Sequence, residues 1–536
     1  IICAALALFT CGCLMAQNGP VKLWEGTLAI PAYRVNPPEK APLFERDFAY
    51  QRAKRGVYPY AMNDNPTHVK TDTVYRALYL ENDYLKVCVL PDIGGRLFYA
   101  TDKTNGYEIF YRQHVIKPAN VGMLGAWISG GVEWNVFHHH RATSQYPIDY
   151  KLVDNGDGSK TIWVGEIEKR HRMSWAIGMT LYPDKSYIEV KGRFFNNSPD
   201  RNSMLHWNNV ATHANENYQI VFPENTEFGT FHHKNSFMRW PVPDAPYCDN
   251  PDYIGKDVSY WKNLPALMGG SVFVYDLQDD FIAGYDYGRN AGTMLAGNRH
   301  INKGGKFWTW GHMNYGHAWD CETLTDEDGP YVELMTAAYS DNQPDYCWIN
   351  PYEMKEFTAY WYGIRDLQHV NRGNEKATVN MEIHPDGRLH LAANVTQIQR
   401  NARIVVRRNG KTLYETRADI APDAPFAIDT QVSGTDVSEP SEVTMYLYDA
   451  AGNELISYHP YKLDRTKPLP DPVTPLNPDP KQVSNTEELY YLGMRNLQFH
   501  NAHVNPNDYF FEVIRRDPGD VRANTQLGIY YRKQGD

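Results

Sequence analysis

A long succession of short apolar runs, each closed by a Gly, Asn, Asp or Pro turn, extends from about Lys22 to Asp366. Tyr79–Leu90 and the following Pro91–Leu97 predict a strand, a tight turn and a second strand. Helical periodicity is scarce over the whole stretch, so its apolar residues are expected to be buried in sheets. We therefore predict a mainly β chain with a large antiparallel β-sandwich, assigned to residues 20–368.

A smaller β unit is predicted over residues 375–463. Asp386–Gly387 and Asn409–Gly410 are dipeptides typical of two-residue hairpin turns. The strand-like runs of this unit are Val379–Ile383, Leu389–Val395, Ile404–Arg408 and Val443–Tyr448. About seven strands in such a length indicate a small immunoglobulin-like sandwich.

The character of the sequence changes after this unit. Residues 464–484 are rich in proline, with six prolines between Lys467 and Pro480, and predict a stiff, extended linker. Thr486–Phe499 and Val521–Arg532 then carry helical patterns.

The last segment, residues 485–536, has features of tetratricopeptide repeats. Leu527, Gly528 and Tyr531 have the spacing of the L-G-x-x-Y pattern, and Pro518 lies where such a repeat usually ends. A repeat of this kind buries its apolar face only against stacked neighbours. We therefore expect the start of a longer helical array, and a protein that is truncated at both ends of this sequence.

An apolar run over residues 1–16 precedes the β region. It is too short to span a membrane and resembles the apolar part and cleavage site of a secretory signal, with cleavage after Ala16. A lipid anchor on Cys11 or Cys13 is the alternative, and both routes predict an exported, periplasmic protein. Four cysteines would remain after cleavage, without the CxxC spacing of a zinc site.

The charge and aromatic content limit the classes of partner. The formal net charge is −11, and Lys and Arg form no dense run. This argues against nucleic acid or an anionic membrane surface as the main partner. The 38 Tyr, 13 Trp and 20 Phe fit either a large β core or stacking surfaces for sugar rings.

Gly130–Arg141 concentrates a carboxylate, three imidazoles and a guanidinium in twelve residues. Such groups are costly to bury unless they satisfy one another or contact a ligand. Strand alternation puts Glu133 and His138 on opposite faces, and consecutive histidines cannot all face one way. A metal site on this run would therefore need a further ligand, such as His312 or His232, and a metal-dependent enzyme is the less favoured alternative. We predict no metal and no cofactor, and assign catalysis to Glu133 and His140 and ligand binding to Arg141. A hydrogen-bonded strand end without a ligand is the alternative.

The segment Phe307–Asp320 alternates tryptophans with small or polar residues. If it is a strand, Trp308, Trp310 and His312 share one face and offer stacking surface beside a polar tip. We assign these three residues to sugar binding, with core packing as the alternative for the tryptophans.

A third segment, Asp326–Met335, places a single carboxylate within an apolar strand. That carboxylate, Glu333, is either ion-paired or has a raised pKa suited to general acid–base work. The polar loop that follows supplies Asn342, Gln343 and Asp345 as candidate hydrogen-bond partners for sugar hydroxyls.

Several of these segments are similar to known families. Tyr79–Asn82 with Leu90–Arg96 resembles the opening of galactose mutarotase-like domains, and Asn350–Glu353 resembles their closing part. Three motifs in the same order more closely resemble a bacterial family called domain of unknown function 5107: Gly130–Arg141, Phe307–His312 and Asp326–Met335.

This resemblance implies a mutarotase-like β-supersandwich, a smaller β domain and C-terminal tetratricopeptide repeats. In mutarotases a glutamate in the position of Glu333 is the base that acts on the anomeric hydroxyl. Their histidine acid lies in a segment rich in Asn and His, whose nearest equivalent here is His206–Asn209. Whether His206, His140 or neither supplies the acid stays open at this point.

Together these patterns predict an exported carbohydrate-active enzyme that acts at an anomeric centre. A glycoside hydrolase with Glu133 and Glu333 as its carboxylate pair is preferred, because an exported multidomain protein is expected to meet oligosaccharides. An epimerase with one Glu base and one His acid comes second. The alternative from another class is a non-catalytic carbohydrate-binding scaffold that recruits a protein partner through the repeats.

Overall fold

The structure is a computed structural model that describes residues 19–40, 58–137, 140–265, 269–473, 477–499 and 504–534. The predicted signal segment, residues 1–16, lies outside the described residues, as do His138 and His139.

The regular secondary structure of the described residues is mainly β-strand, as the sequence predicts. In chain order the strands are β1 (Lys22–Val35), β2 (Pro66–Glu81), β3 (Leu85–Leu90), β4 (Arg96–Asp102), β5 (Tyr107–Glu108), β6 (Ala119–Gly122), β7 (Gly125–Trp127), β8 (Val132–Asn135), β9 (Asp149–Asp154), β10 (Lys160–Glu168), β11 (Met173–Leu181), β12 (Ile188–Asn196), β13 (Asn202–Met204), β14 (His206–His213), β15 (Tyr218–Val221), β16 (Phe228–Thr230), β17 (Phe237–Arg239), β18 (Gly270–Val274), β19 (Phe281–Asp286), β20 (Ala291–Ala296), β21 (Gly304–Thr309), β22 (Tyr331–Ala338), β23 (Cys347–Ile349), β24 (Met354–Arg365), β25 (Arg372–Gly373), β26 (Ala377–Ile383), β27 (Arg388–Val395), β28 (Gln399–Arg408), β29 (Lys411–Ile420), β30 (Phe426–Gln431), β31 (Val443–Tyr448) and β32 (Glu454–Tyr458).

Two large sheets contain most of the strand residues up to Arg365. The first sheet has twelve strands in the order β1-β2-β3-β4-β8-β14-β22-β21-β18-β16-β17, with β5 paired to β4. The second has eight strands in the order β15-β19-β20-β24-β12-β11-β10-β9. Neighbouring strands run antiparallel, as in β8 with β14 and β14 with β22. This layered pair of antiparallel sheets is the architecture that the alternating apolar runs predict.

One apolar cluster lies between the two sheets. Trp134 of β8 stacks on Trp361 of β24, with ring centroids 5.9 Å apart. Val210 and Leu334 on the neighbouring strands of the first sheet belong to the same cluster. Because side chains alternate along a strand, the residues between them point to the opposite face of that sheet.

The first predicted strand pair differs from the structure in one detail. Residues 79–90, taken above as a single strand, are the end of β2 and all of β3. A turn separates them, in which the side-chain oxygen of Asn82 accepts hydrogen bonds from the backbone N–H groups of Tyr84 and Leu85. Asparagine stabilises turns in this way, so the signal was present in the sequence.

The smaller β unit has two four-stranded sheets, β25-β26-β27-β30 and β29-β28-β31-β32, around their own apolar cluster. The four predicted strands of this unit are confirmed within a few residues, as β26, β27, β28 and β31. Asn409 and Gly410 both have positive φ, as a tight hairpin turn between β28 and β29 requires.

A single-turn helix, α1 (Asn314–His317), lies between β21 and β22. Three helices follow the proline-rich segment: α2 (Thr486–Gln498), α3 (Pro506–Arg516) and α4 (Val521–Gln534). The predictions of α2 and α4 are confirmed, whereas α3 was missed. Its start carries a recognisable signal, because the Asn505 side chain caps the helix and Pro506 occupies the first turn. Within the described ranges, none of the helices is long and apolar enough to cross a membrane.

Candidate active site on the first sheet

The central strands of the first sheet place five functional side chains on one face. Glu133 of β8 pairs with Asn209 of β14, and Glu333 of β22 pairs with Trp308 of β21. Lys306 lies two residues before Trp308 and therefore shares its face. This face is opposite to the apolar cluster between the sheets, so the polar residues of these strands are directed away from the core.

A cavity of about 600 Å³ lies against this face. Its wall includes residues of the central strands, the loop before β17 and the loop after β22: Val121, Trp127, Asn135, His140, Leu205, Trp207, Asn209, Phe231, His232, His233, Lys306, Trp308, Trp310, Glu333, Met335, Gln343 and Pro344. Its volume is in the range of small-molecule sites, and its wall combines aromatic rings with a few polar groups, as such sites usually do.

Glu133 lies behind this wall and is only 2% exposed. Its Oε2 accepts a hydrogen bond from Trp127 Nε1 at 2.9 Å and lies 2.8 Å from His140 Nδ1. The guanidinium of Arg96 is 3.9 Å away. Burial alone would raise the pKa of Glu133, but His140, Arg96 and the Trp127 hydrogen bond lower it to about 2. The side chain is therefore a carboxylate at every pH at which the protein is expected to function.

His140 lies on the wall of the cavity, in front of Glu133. Burial opposes its protonation, but the adjacent carboxylate of Glu133 outweighs burial and raises the pKa of His140 above its usual value. A carboxylate that holds one ring nitrogen fixes the orientation of a histidine and stabilises its protonated form. The carboxylate of Glu133 therefore favours the protonated form of the ring that faces the cavity.

Glu333 is the carboxylate that faces the cavity itself. Its Oε2 accepts a hydrogen bond from Asn209 Nδ2 at 3.1 Å. Burial is the largest effect and, together with Glu133, outweighs His140, Lys306 and Arg96, so that the pKa of Glu333 is raised to about 7. The raised pKa predicted from the lone carboxylate in an apolar strand is thus present, and it suits proton transfer near neutral pH.

Aromatic side chains form one side of the cavity. The rings of Trp308 and Trp310 meet edge to face at 4.5 Å, and Trp310 stacks on Trp319 at 4.3 Å. Trp310 Nε1 donates a hydrogen bond to the Tyr331 hydroxyl at 3.1 Å. These contacts hold both cavity-lining tryptophans in fixed orientations, with one face of Trp310 covered by Trp319.

His312 is not in the cavity, contrary to the prediction that it shares a face with Trp308 and Trp310. Strand β21 ends at Thr309, and the backbone turns at Gly311, which has φ +104°. The side chain of His312 is therefore directed to Glu216, at 2.7 Å, and packs edge to face on Trp261.

Arg141 does not reach the cavity either. Its guanidinium is buried over the ring of Trp175, 3.2 Å from Glu166, and donates to the backbone oxygen of Gly94. These contacts hold the segment after β8 in place. The predicted ligand contact is therefore replaced by a structural ion pair.

Of the three residues predicted in the loop after β22, one lies on the cavity wall and two do not. Gln343 lies on the cavity wall, where its side-chain oxygen accepts a hydrogen bond from Lys306. Asn342 is fully buried and holds the backbone of Phe231 and His233. Asp345 forms an ion pair with Lys234 at 3.0 Å and is not part of the wall.

Two titratable residues near the cavity were missed in the sequence. Lys306 of β21 is buried on the wall. Asp320 is completely buried near Glu333, and neither of its carboxyl oxygens has a hydrogen-bond partner in the described part of the chain. Lys306 could have been found, because it is a lone charge in the apolar strand that precedes Trp308. Asp320 lies in an irregular helical turn that has no such periodic signal.

The geometry does not bring metal ligands together. Among the described residues, no group of three or more His, Cys, Asp and Glu side chains could hold a metal ion. His206, the alternative acid, is buried in the core beside Phe194 and Phe357, and burial lowers its pKa to about 3. It therefore remains neutral and away from the cavity.

The chain belongs to the family described as Domain of unknown function (DUF5107), whose model matches residues 52–364. Residues 372–458 match the model of a YphG-like protein, second domain.

Several solved structures are similar to this chain. A TPR-domain containing protein from Parabacteroides distasonis has 20% sequence identity and a TM-score of 0.56, over 66% of this chain. The chain spans 56% of the length of that protein. A galactose mutarotase-like protein from Clostridium acetobutylicum has 11% identity and a TM-score of 0.37, over 55% of this chain and 96% of its own. One from Lactobacillus casei has 10% identity and a TM-score of 0.35, over 54% of this chain and 100% of its own.

Proposed function

We propose that this protein is a carbohydrate-active enzyme that transfers protons at the anomeric centre of a sugar. The observation that carries the proposal is the pair of Glu333 and His140 on the wall of one cavity, with Glu133 behind the histidine. Glu333 is suited to accept a proton near pH 7, and the carboxylate behind His140 favours the protonated form of that ring.

The two groups have the roles that ring opening requires. Glu333 accepts the proton of the anomeric hydroxyl, and His140 donates a proton to the ring oxygen as the bond from that oxygen to the anomeric carbon breaks. The product is an open-chain aldehyde. After rotation about its terminal bond, the reverse proton transfers close the ring with either anomeric configuration. No proton is gained or lost overall.

This proposal changes the role predicted for Glu133. Its carboxylate does not line the cavity, so it acts through His140 as a positioning residue, in the way that a buried carboxylate orients a catalytic histidine. An epimerase-type reaction with one Glu base and one His acid therefore has better support than the hydrolase with two glutamates.

A glycoside hydrolase remains the second candidate because of one observation. The pKa of Glu133 is lowered to about 2, while that of Glu333 is raised to about 7. Separated values of this kind are typical of carboxylate pairs in which one group is an acid and the other stays ionised. In that case Glu333 would be the general acid that protonates the leaving group.

The tryptophans support a sugar as the ligand. Trp308 and Trp310 present fixed ring faces to a cavity that also contains amide and imidazole groups. Flat apolar faces beside hydrogen-bonding groups match the two kinds of surface that a pyranose ring offers. An oligosaccharide ligand, of which one residue enters the cavity, is compatible with a volume of about 600 Å³.

The remaining parts of the chain fit an exported, multidomain protein with a second partner. The small β unit is proposed to be an immunoglobulin-like sandwich, and α2 to α4 to be the start of tetratricopeptide repeats that bind a protein. The relative from Parabacteroides distasonis, titled a TPR-domain containing protein, supports the second assignment. A non-catalytic scaffold with these features would bind sugar but form no product.

The direct test follows anomer interconversion of a panel of neutral and acidic aldoses by NMR exchange spectroscopy, with reducing-end release from oligosaccharides measured in parallel. We expect anomer exchange to be catalysed by the wild-type protein and to fall at least 100-fold in Glu333→Gln. Glu327→Gln, a change at an exposed glutamate before the same strand, is the matched control and should retain full activity. Reducing-end release without anomer exchange would establish the hydrolase, and binding without either reaction would establish the scaffold.

A further inference from the structure

Lys306 is a buried amine that has no ionic partner among the described residues. It is 3% exposed, whereas the other lysines whose side chains the structure describes are at least partly exposed. Its Nζ donates a hydrogen bond to Gln343 Oε1 at 3.2 Å and forms no ion pair in the described part of the chain. The buried guanidinium of Arg141, by contrast, lies 3.2 Å from Glu166.

The surroundings of Lys306 make its charged form costly. Burial lowers the pKa of Lys306 to about 7, although Glu333 opposes this effect. The other titratable groups on the wall of the cavity are His140, His232 and His233, none of which is an anion. The ammonium lies 4.6 Å from the ring centroid of Phe273 and 5.1 Å from that of Trp207. Aromatic faces stabilise a cation but do not replace a counter-charge.

Buried charges in proteins are almost always paired, because the loss of hydration is large. Two of the three N–H groups of the ammonium have no hydrogen-bond acceptor among the described residues. A ligand that enters the cavity can supply both the missing acceptors and the missing negative charge.

We infer that the sugar bound here carries an anionic substituent, and that Lys306 binds it. The shared chemistry is a carboxylate, sulfate or phosphate group attached to a pyranose ring, as in a uronic acid or a sugar ester. The inference rests on the proposed function, because it takes the ligand to be a sugar.

The register supports simultaneous contact with Lys306 and Glu333. Lys306 pairs with Met335, two residues beyond Glu333 on the adjacent strand. Two residues of rise and one strand spacing separate their Cα atoms by roughly 8 Å. One pyranose ring can bridge this separation, with its anomeric carbon at Glu333 and a substituent of C5 or C6 at Lys306.

The test is calorimetric titration of the full chain with glucuronate, galacturonate, glucose 6-sulfate, glucose 6-phosphate, glucose and galactose. At least one anionic sugar is expected to bind at least tenfold more tightly than its neutral counterpart, and the identity of the best ligand separates carboxylate from sulfate and phosphate. Lys306→Met should remove this preference, Lys306→Arg should retain much of it, and Lys303→Met, at an exposed lysine just before β21, should leave it unchanged.

Proton uptake provides an independent readout. An anion beside Lys306 should hold the ammonium in its charged form, so that binding at pH 8 takes up protons and the measured heat depends on the ionisation enthalpy of the buffer. The groups that could also take up protons are Glu333, His140, His232 and His233. The uptake should therefore be retained in Glu333→Gln and reduced in Lys306→Met.

The inference and the proposed function fail in different ways. Equal binding of anionic and neutral sugars, or a preference that survives in Lys306→Met, overturns the inference and leaves the proposed function standing. Tight binding of an anionic sugar without anomer exchange supports the inference and contradicts the proposed function. No binding of any sugar contradicts both.

Discussion

Asp320→Asn is expected to stabilise the protein, and by more as the pH rises. Asp320 is 0% exposed, and neither of its carboxyl oxygens has a hydrogen-bond partner in the described ranges. Burial and the nearby carboxylate of Glu333 raise the pKa of Asp320 from 3.8 to about 9. The side chain therefore stays protonated in the folded protein at pH 7, whereas it is ionised in the unfolded chain.

The size of the effect follows from this difference. The pKa of Asp320 is higher in the folded protein than in the unfolded chain. The free energy of unfolding is therefore undiminished below the pKa of the unfolded chain and falls as the pH rises from there towards 9. Each pH unit above the unfolded pKa costs about 1.4 kcal/mol, which gives about 1.5 kcal/mol at pH 5 and about 4 kcal/mol at pH 7. Asparagine has nearly the same shape and no ionisation, so Asp320→Asn removes this cost.

The assay is urea unfolding followed by tryptophan fluorescence at pH 5, 7 and 8.5. The midpoint of Asp320→Asn should exceed that of the wild type at each pH, and the gap should widen with pH. Asp72→Asn, at an exposed aspartate of β2, controls for the loss of one formal charge and should show no such trend. A gap that is constant with pH, or a less stable Asp320→Asn, would refute the reasoning.

Three further predictions concern the site. Arg141→Met should lower the free energy of unfolding by about 3–5 kcal/mol, because it leaves Glu166 without its buried partner. Urea unfolding measures this, and an effect no larger than that of Arg193→Met, at an exposed arginine, would contradict it. Trp308→Leu should weaken sugar binding by about 1 kcal/mol, or roughly fivefold in a calorimetric titration, because it removes a stacking face; unchanged affinity would assign Trp308 to packing alone. Glu133→Gln should move the alkaline limit of activity to lower pH, because His140 loses the carboxylate that raises its pKa. An unchanged limit would show that Glu133 has no role in the reaction.

The strands that form the site could be predicted because each carries a local signal. Glu333 is a single carboxylate in an apolar run, and Trp308 and Trp310 alternate with small residues. This periodicity predicts that all three side chains lie on strands with a buried face. The pairing that brings β8, β14, β21 and β22 side by side is a long-range property. No pattern within any one segment specifies it.

The errors in the candidate site have the same physical origin. The prediction for His312 assumed that the strand continues past Thr309, but a turn at Gly311 changes its direction. The prediction for Arg141 took a charged residue near a glutamate-histidine pair to be a ligand contact, whereas Glu166, in a different strand, pairs with it. Asp320 was missed because its importance comes from burial, which depends on the packing of the whole sheet. Lys306, by contrast, carries a local signal as a lone charge in the strand that contains Trp308.

The most direct test of the account is the pH dependence of kcat/KM for anomer exchange, with the best substrate of the panel. If Glu333 is the base and His140 the acid, the rate should rise as the pH increases through about 7, where Glu333 loses its proton, and its alkaline limit should be set by the loss of the His140 proton. A rate that instead falls as the pH rises through 7 would make Glu333 the acid and contradict the account.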